Sequence, residues 1–425
     1  MFPTQLESQP KGGVDLSVLF KPMQLGPLTL RNKFFMAALT RDRNVPGNVP
    51  TDLAVEYYRQ RAKGGAALIV SEGALITQSG SPWPYAPGIW SEEHVRAWKK
   101  VADAVHEEGS YIYAQIIHIG RVAHIDAPEQ IASGEPVYAP SPIAVRPGGT
   151  SRFRFLPGQP GPSMPVEINN PRKFIGEFRH AAINAKKAGL DGIEVHAGGG
   201  WLIHQFLDNT VNKRSDEWGG SVENRARFGL EVLKAVTSVF GPGRVGIKLT
   251  PTGGYNDVGM PVEDTLETFT YFIKEADKLG LAYMVFQRYE VSFDETIDGQ
   301  ISHGHLHLYH FTNVSDSWDV GKLRGTSHDV IQTWGPLIKN AKVFGNFNYT
   351  VEEAAENIAS GKLDGVLFGR SFIANPDFPK RIQHGVPLNN LDWMTVYRSA
   401  ASDGGVASKE ELSKGYTDYP FAVIN

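Results

Sequence analysis

The sequence predicts a (β/α)8 TIM barrel, α/β in class, with long loops after strands 3 and 6, and three observations predict it. Eight short β-branched or aromatic runs recur along 425 residues. Each is followed by a polar or Gly-containing loop and then an amphipathic stretch at helical spacing. No linker splits the chain into separate domains, so residues 1–425 are expected to form a single domain; a doubly wound open sheet is the alternative that the count of eight disfavours.

The runs, in order, are KFFMAA (33–38), AALIVSEG (66–73), YIYAQII (111–117), GIEVH (192–196), VGIKLT (245–250), YMVFQ (283–287), KVFGN (342–346) and GVLFGR (365–370). Their near-continuous apolar character is that of parallel strands buried on both faces. Between them lie VRAWKKVADAVHEEG, KFIGEFRHAAINAKKAG, ENRARFGLEVLKAVTSVFG and VEEAAENIASG, with apolar residues at helical spacing and Gly near the C-terminus. Two segments break the repeat: residues 124–165, rich in Pro, Gly and Ser, read as an excursion after strand 3. Residues 288–330, polar and His-rich, read as an insertion after strand 6 that caps the barrel mouth.

Composition narrows the function. The charge is −4, with 41% hydrophobic and 21% charged residues, so there is no basic footprint for nucleic acid or an anionic membrane. There is no cysteine, which excludes disulfides, thiolate metal sites and cysteine nucleophiles. The start, MFPTQLESQPKGGVDLS, lacks a basic segment followed by an apolar one, and no run approaches the ~20 apolar residues of a membrane span. The expectation is a soluble cytoplasmic protein with a small-molecule substrate, as a monomer or homodimer.

In a barrel the C-terminal ends of the strands converge on one mouth. Those ends are Ala38-Leu39-Thr40, Gly73, Gln115 with His118, His196, Lys248, Gly345-Asn346 and Gly369-Arg370. The glycines after strands 7 and 8 let backbone N–H groups approach a phosphate while Arg370 adds a charge-assisted fork, which implies a phosphate-bearing ligand. Thr40, Gln115 and Lys248 supply a hydroxyl, an amide and a cation. An isoalloxazine needs these along N3–H, O2, O4 and N1, where the reduced ring carries negative charge. Each also has a bland reading: Thr40 as a cap, Gln115 on backbone, Lys248 on a carboxylate.

The residues resemble the Old Yellow Enzyme family of FMN-dependent ene-reductases over nearly the whole chain. The match runs through LFKPMQLGPLTLRNKFFMAALTR (19–41), EYYRQRAKGG (56–65), SEGALIT (71–77), PGIWSEEHVRAWKKVADAVHEEG (87–109), AQIIHIGR (114–121), QFLDNTVNKRSDEWGGSVENRARFGLEVLKAV (205–236), VGIKLTP (245–251), FGRSFIANPDFPKRI (368–382) and GYTDYP (415–420). The resemblance implies FMN as cofactor, reduced by NADH or NADPH. It puts flavin contacts at Ala38, Thr40, Gly73, Gln115, His196 and Lys248, and phosphate contacts at Gly345, Asn346, Gly369 and Arg370. Most members carry Arg where Lys248 stands; the charge is kept and the planar fork is lost. Asn212, Arg214, Asp216, Glu223, Asn224 and Arg225 read as loop architecture, with Ser221 as a helix N-cap.

The catalytic strand end departs from the family in HAGGGWL (196–202). The family pattern is His, two residues, Asn or His, one residue, Tyr. The resemblance implies that the first two donate hydrogen bonds to an activating oxygen of the alkene as hydride leaves FMN, and that the Tyr protonates the α-carbon. Here His196 is kept, Gly199 replaces the second donor and Trp201 replaces the acid. An indole N–H does not ionise in water's range, so it is no general acid. Ile117 stands where an aromatic, often Trp, is common. With Gly199 it implies a wider pocket floor and a bulky substrate. Ile117, His118 and Tyr255 are the pocket candidates, and His118, His204 and Tyr255 the stand-in proton donors.

The bland reading of His196 is a satisfied strand-end histidine. The alternating His303, His305, His307 and His310 could share one strand face, but without a carboxylate or Cys at matching spacing no metal site is assigned. Three functions follow: reduction of an electron-poor alkene of a bulky metabolite; a flavin-dependent isomerisation, desaturation or other rearrangement in a natural-product pathway; or a binding barrel that has lost catalysis. The retained flavin and phosphate set argues against the third.

Overall fold

All eight β-rich runs form parallel strands that close on themselves: β1 (Phe34–Met36), β2 (Leu68–Val70), β3 (Tyr111–Ile117), β4 (Gly192–His196), β5 (Val245–Leu249), β6 (Tyr283–Gln287), β7 (Lys342–Asn346) and β8 (Gly365–Phe368). β8 pairs with β1, and β2 with β3, so the sheet has no open edge there. The structure, a computed structural model, describes residues 13–44, 47–81, 85–146, 156, 158, 160–161, 163–290, 296–297, 300–301, 326–397 and 407–424. Around the barrel stand α1 (Asp52–Lys63), α2 (Glu92–Glu107), α3 (Pro171–Lys187), α4 (Val222–Phe240), α5 (Val262–Asp277), α6 (Val330–Trp334), α7 (Val351–Ala359) and α8 (Phe378–His384).

Local chemistry sets these boundaries. Ser221 accepts from the Asn224 N–H at the start of α4, and Thr350 with Glu353 forms a reciprocal capping box at α7; each cap contributes about 1 kcal/mol. Strand parity divides the side chains into two layers. Ile112, Ala114, Ile193, Val195, Val245 and Ile247 face the helices. Phe35, Leu68, Tyr113, Tyr283, Phe344 and Leu367 fill the lumen. Tyr283 stacks on Phe344 at 4.8 Å, and strand glycines make room for such rings: a Cβ on Gly246 would lie 2.3 Å from Tyr283, and one on Gly365 2.5 Å from Phe35.

A hairpin, Met23–Leu25 with Leu28–Leu30, packs Leu25, Leu28 and Leu30 into this lumen cluster. Its turn residue Gly26 has φ +53, and a Cβ there would lie 2.1 Å from the Gly243 carbonyl oxygen. The excursion 124–165 contains a helix at Pro128–Ser133, and Tyr138–Ala139 pairs with Val166–Glu167. Arg214 ties it down by donating to the carbonyls of Pro140 (3.0 Å) and Ile168 (2.8 Å). Of the insertion 288–330, residues 291–295, 298–299 and 302–325 lie outside the described residues, and His303, His305, His307 and His310 with them.

Candidate active site

Burial changes character at one end of the barrel. The strands are buried, whereas Ala38, Leu39, Thr40, Gly73, His196, Lys248, Gln287, Gly369 and Arg370 at their C-terminal ends are half-buried. That ring of partial exposure outlines a mouth. Adjacent strands pair the polar side chains: His196 is in register with Lys248 in this ring, and Gln115 with Glu194 in the buried layer below it.

Glu194 organises the layer. It is fully buried, accepting from Gln115 Nε2 at 2.6 Å and from the Tyr283 hydroxyl at 2.9 Å. Burial pushes its carboxyl up, and Lys248 partly offsets this. Burial likewise pulls the Lys248 ammonium down, with Glu194 opposing. A carboxylate only accepts, so Glu194 commits the Gln115 amide N–H and leaves its carbonyl Oε1 on the Gly73 side, 3.4 Å from where a Cβ on Gly73 would be. Glu194 has no place in the sequence-derived site; its signal was a lone charge in GIEVH two residues before His196, hence on the same lumen face.

At the β7–β8 side, Asn346 spends its amide on the Leu367 carbonyl (2.9 Å), and Gly345 points its missing side chain outward, where a Cβ would meet Leu363 and Tyr349 at 2.9 Å. A contribution from Gly345 to a ligand is therefore one of backbone. Gly369 lies beside Leu39, with 3.2 Å from a Cβ there to Leu39 Cδ2. Arg370 donates to Asn348 Oδ1, stands over the Phe347 and Trp393 rings, and is pulled down by burial. Phe347 and Asn348 both hold positive φ, 81° and 51°, a conformation that Asn tolerates and a bulky Phe rarely adopts. A second cation absent from the sequence reading, Arg288, pairs with Glu353 at 3.2 Å and lies 4.3 Å over Tyr349.

HAGGGWL is a tight turn that folds Trp201 back over His196. Gly199 and Gly200 have φ +62 and +74; a Cβ on Gly200 would lie 2.7 Å from Asn256 Cβ, and one on Gly198 2.3 Å from Thr250 Oγ1. Asn256 donates to the Gly199 carbonyl at 2.7 Å. Trp201 Nε1 donates to His196 Nε2 at 3.0 Å, and its ring stands edge-on to Tyr255 at 6.3 Å. Ile117, Trp201, Leu75 and Tyr255 belong to one apolar cluster, which forms a wall.

Two sequence candidates turn elsewhere. His118 packs edge-on against Phe174 of α3 at 5.3 Å and so tightly on Gly80 that a Cβ there would lie 2.4 Å from the imidazole. It is on the helix side of its strand because it is three residues, an odd step, from Gln115. Burial pulls it down to about 3. His204 accepts from the Gly200 N–H (3.2 Å), faces Phe269, and is pulled down by burial to about 4. The loop after β4 is architectural: Asn212 donates to the carbonyls of Phe206 and Trp218, both at 2.8 Å, and Arg225 to the Leu207 carbonyl at 3.0 Å. Among the described residues no group of three or more His, Cys, Asp or Glu is arranged to hold a metal.

A parallel barrel with an amide, a half-buried cation and an imidazole near one mouth, and an arginine beside glycine-bearing turns, has the groups that suit an oxidoreductase with an anionic, phosphate-bearing cofactor. The chain belongs to the NADH:flavin oxidoreductase / NADH oxidase family, whose model matches residues 18–389, the Old Yellow Enzyme group. It is 35% identical over 409 residues to the NADP-dependent oxidoreductase lnbE of Aspergillus flavus, covering 96% of this chain and 97% of that one. It is 34% identical to the probable inactive reductase easA of Epichloe festucae var. lolii, covering 96% of each. Morphinone reductase in complex with tetrahydroNAD superposes with a TM-score of 0.76 at 35% identity, over 95% of this chain and 98% of that one. The protein is an FMN-dependent oxidoreductase of the ene-reductase family, with a nicotinamide as reductant. The polar groups present fit the cofactor: Gln115 Oε1 as acceptor and the Lys248 ammonium as donor suit the ring edge, and Gly73, whose Cβ would crowd Ile117 at 3.1 Å, keeps that approach clear. No described helix is long and apolar enough to cross a membrane.

Proposed function

We propose that the protein takes hydride from NAD(P)H and delivers it to the electron-poor alkene of a bulky metabolite, at a strand end that lacks the usual tyrosine acid and second oxyanion donor. The observation that carries this reading is the half-buried ring of Thr40, Gly73, His196, Lys248, Gly369 and Arg370 above the Gln115–Glu194 layer. Bound FMN supplies the relay of hydride between nicotinamide and alkene. Lys248 offers positive charge to the ring edge that becomes electron-rich, and Gln115, its amide fixed by Glu194, offers an acceptor to the ring N–H. Arg370 and the Gly345, Asn346 and Gly369 backbone hold the phosphate. Ile117 and Trp201 shape the substrate wall and exclude water, and Tyr255, packed against the same cluster, is the phenol that returns a proton.

A second reading, a flavin-dependent isomerisation or desaturation in a natural-product pathway, is favoured by one observation: an indole that is no acid occupies the position of the proton donor. An anaerobic visible spectrum separates the two. The expected outcome is bleaching of the flavin by NADPH and reoxidation by 2-cyclohexenone, slowed by the missing donor, which in comparable sites contributes ~2.7–4 kcal/mol. Bleaching without reoxidation favours the rearrangement; no bleaching by NADPH or NADH defeats the reductase reading.

A further inference from the structure

His196 is approached by two hydrogen-bond donors and has one lone pair to give. The Trp201 indole N–H lies 3.0 Å from Nε2, and the Gly198 backbone N–H lies 3.3 Å from Nδ1. Burial, with Lys248 and then His204 adding repulsion, holds the imidazole well below its ordinary pKa. The ring is therefore neutral at physiological pH, with one N–H and one acceptor nitrogen. Only one of the two approaching donors is satisfied at a time. The indole has the shorter bond and the firmer seat: Trp201 is 6% exposed, edge-on to both His196 and Tyr255, and packed with Leu75, Ile117 and Ile119.

We propose that Trp201 is a specificity-determining residue that withdraws His196 from the substrate: its indole N–H takes the Nε2 lone pair, fixes the proton on Nδ1, and leaves Nε2 with nothing to donate to a carbonyl oxygen. Gly199 is the complement of this latch. A Cβ at Gly199 would lie 3.1 Å from the Trp201 Nε1, and the residue has φ +62, so a donor side chain at 199 and the indole at 201 compete for one volume. The missing second donor and the new Trp are one change. The consequence, which rests on the reductase reading, is that simple ketone-activated alkenes receive no imidazole hydrogen bond. Their turnover is slowed, and substrates whose own electron-withdrawing groups are stronger are favoured.

The latch has a defined alternative state. In Trp201→Phe the ring volume stays and the N–H goes; the Gly198 N–H then claims Nδ1, and the proton moves to Nε2, where it can be donated. ¹⁵N NMR of histidine-labelled protein, with the His196 signals assigned by their loss in His196→Gln, reads the tautomer directly with or without FMN. The expected result is an unprotonated Nε2 in the wild type and a protonated one in Trp201→Phe. In the FMN-loaded, oxidised protein, titration with 4-chlorophenol, followed by the long-wavelength absorption of a phenolate stacked on flavin, is expected to show about tenfold tighter binding in Trp201→Phe, as gain of one donor to an anionic oxygen implies. A protonated Nε2 in the wild type, or unchanged phenol affinity in Trp201→Phe, overturns the proposal. Should that variant fail to fold, the wild-type tautomer alone decides. Neither readout needs turnover, so a failure of NADPH to reduce the flavin sinks the reductase reading and leaves the latch standing.

Discussion

Lys248 is held in a tension that its neighbours make useful. Burial disfavours its charge and Glu194 partly offsets this, and a charge in the lumen is screened less by water and salt than that of an exposed lysine. On the proposed assignment that charge meets the flavin edge that gains electrons. Lys248→Met is therefore expected to lower the two-electron midpoint potential on the order of 30–60 mV, the equivalent of a lost charge-assisted hydrogen bond of about 1.5–3 kcal/mol. The same change removes the cation that offsets the burial of Glu194, whose carboxyl then moves further up. Lys248→Arg should return most of the potential, because charge rather than shape sets it. Spectroelectrochemical titration checks both, and an unmoved potential in Lys248→Met would take Lys248 away from the flavin.

Elements explain how the mouth gets its walls. The turn after β5 holds Asn256 and Asp257 at φ 60° and 57°, and Asp257 accepts from the Arg146 backbone N–H (3.0 Å), Nε (2.9 Å) and Nη2 (2.6 Å). Arg121 donates to its carbonyl at 2.7 Å. One residue thus pins the excursion after β3 to the rim beside Trp201. Asn tolerates this φ, so Asp257→Asn removes the charge without new backbone strain. It is expected to cost about 2 kcal/mol, discounted from the fully buried case because Arg146 is one-third exposed. Faster hydrogen exchange over residues 124–146 with the barrel strands unchanged checks it; uniform loss of protection would mean the pin supports the whole barrel. The strands were legible because parallel barrel strands are apolar throughout, and only their ends overshoot: in AALIVSEG the strand stops at Val70, Ser71 and Glu72 stay buried, and Gly73 is half-buried at the mouth. The floor hairpin was not legible, since three-residue strands across Gly26-Pro27 are too short to show a period. The sequence puts His118 at a strand end without saying which way it faces; the parity of β3 beyond Ile117 turns it to the helix side, against Phe174. Trp201 was found as a substitution, but its bond to His196 depends on the left-handed turn of Gly199 and Gly200, a tertiary outcome that residue identity does not fix.

At the scale of the whole molecule, barrel closure makes the two ends of the chain structurally inseparable. β8 pairs with β1, and three buried guanidiniums tie the first β/α unit to the C-terminal segment. Arg41 donates to the Val396 carbonyl (3.0 Å), Arg43 to those of Leu412 (2.8 Å) and Thr395 (2.7 Å), and Arg61 to those of Phe372 (3.1 Å) and Ile373 (2.8 Å). Tyr57 stacks on Tyr416 at 4.1 Å between them. Burial pulls Arg43 and Arg61 down to about 10, still above physiological pH, so each remains a cation satisfied by carbonyls. The proposed FMN site spans the same seam: Thr40 follows β1, Gly369 and Arg370 follow β8, and Lys248 stands midway round the barrel. A ligand gripping all three binds the closed barrel and not the unfolded chain, so its removal must lower stability by mass action. At a thousandfold excess over its dissociation constant FMN contributes about 4 kcal/mol, which for a chain of 425 residues corresponds to a fall in Tm of roughly 4–5 °C on stripping the cofactor. Re-addition should restore it in proportion to the logarithm of FMN concentration. Riboflavin, which lacks the phosphate, should restore much less, and equal rescue by the two would remove Gly369 and Arg370 from the binding site.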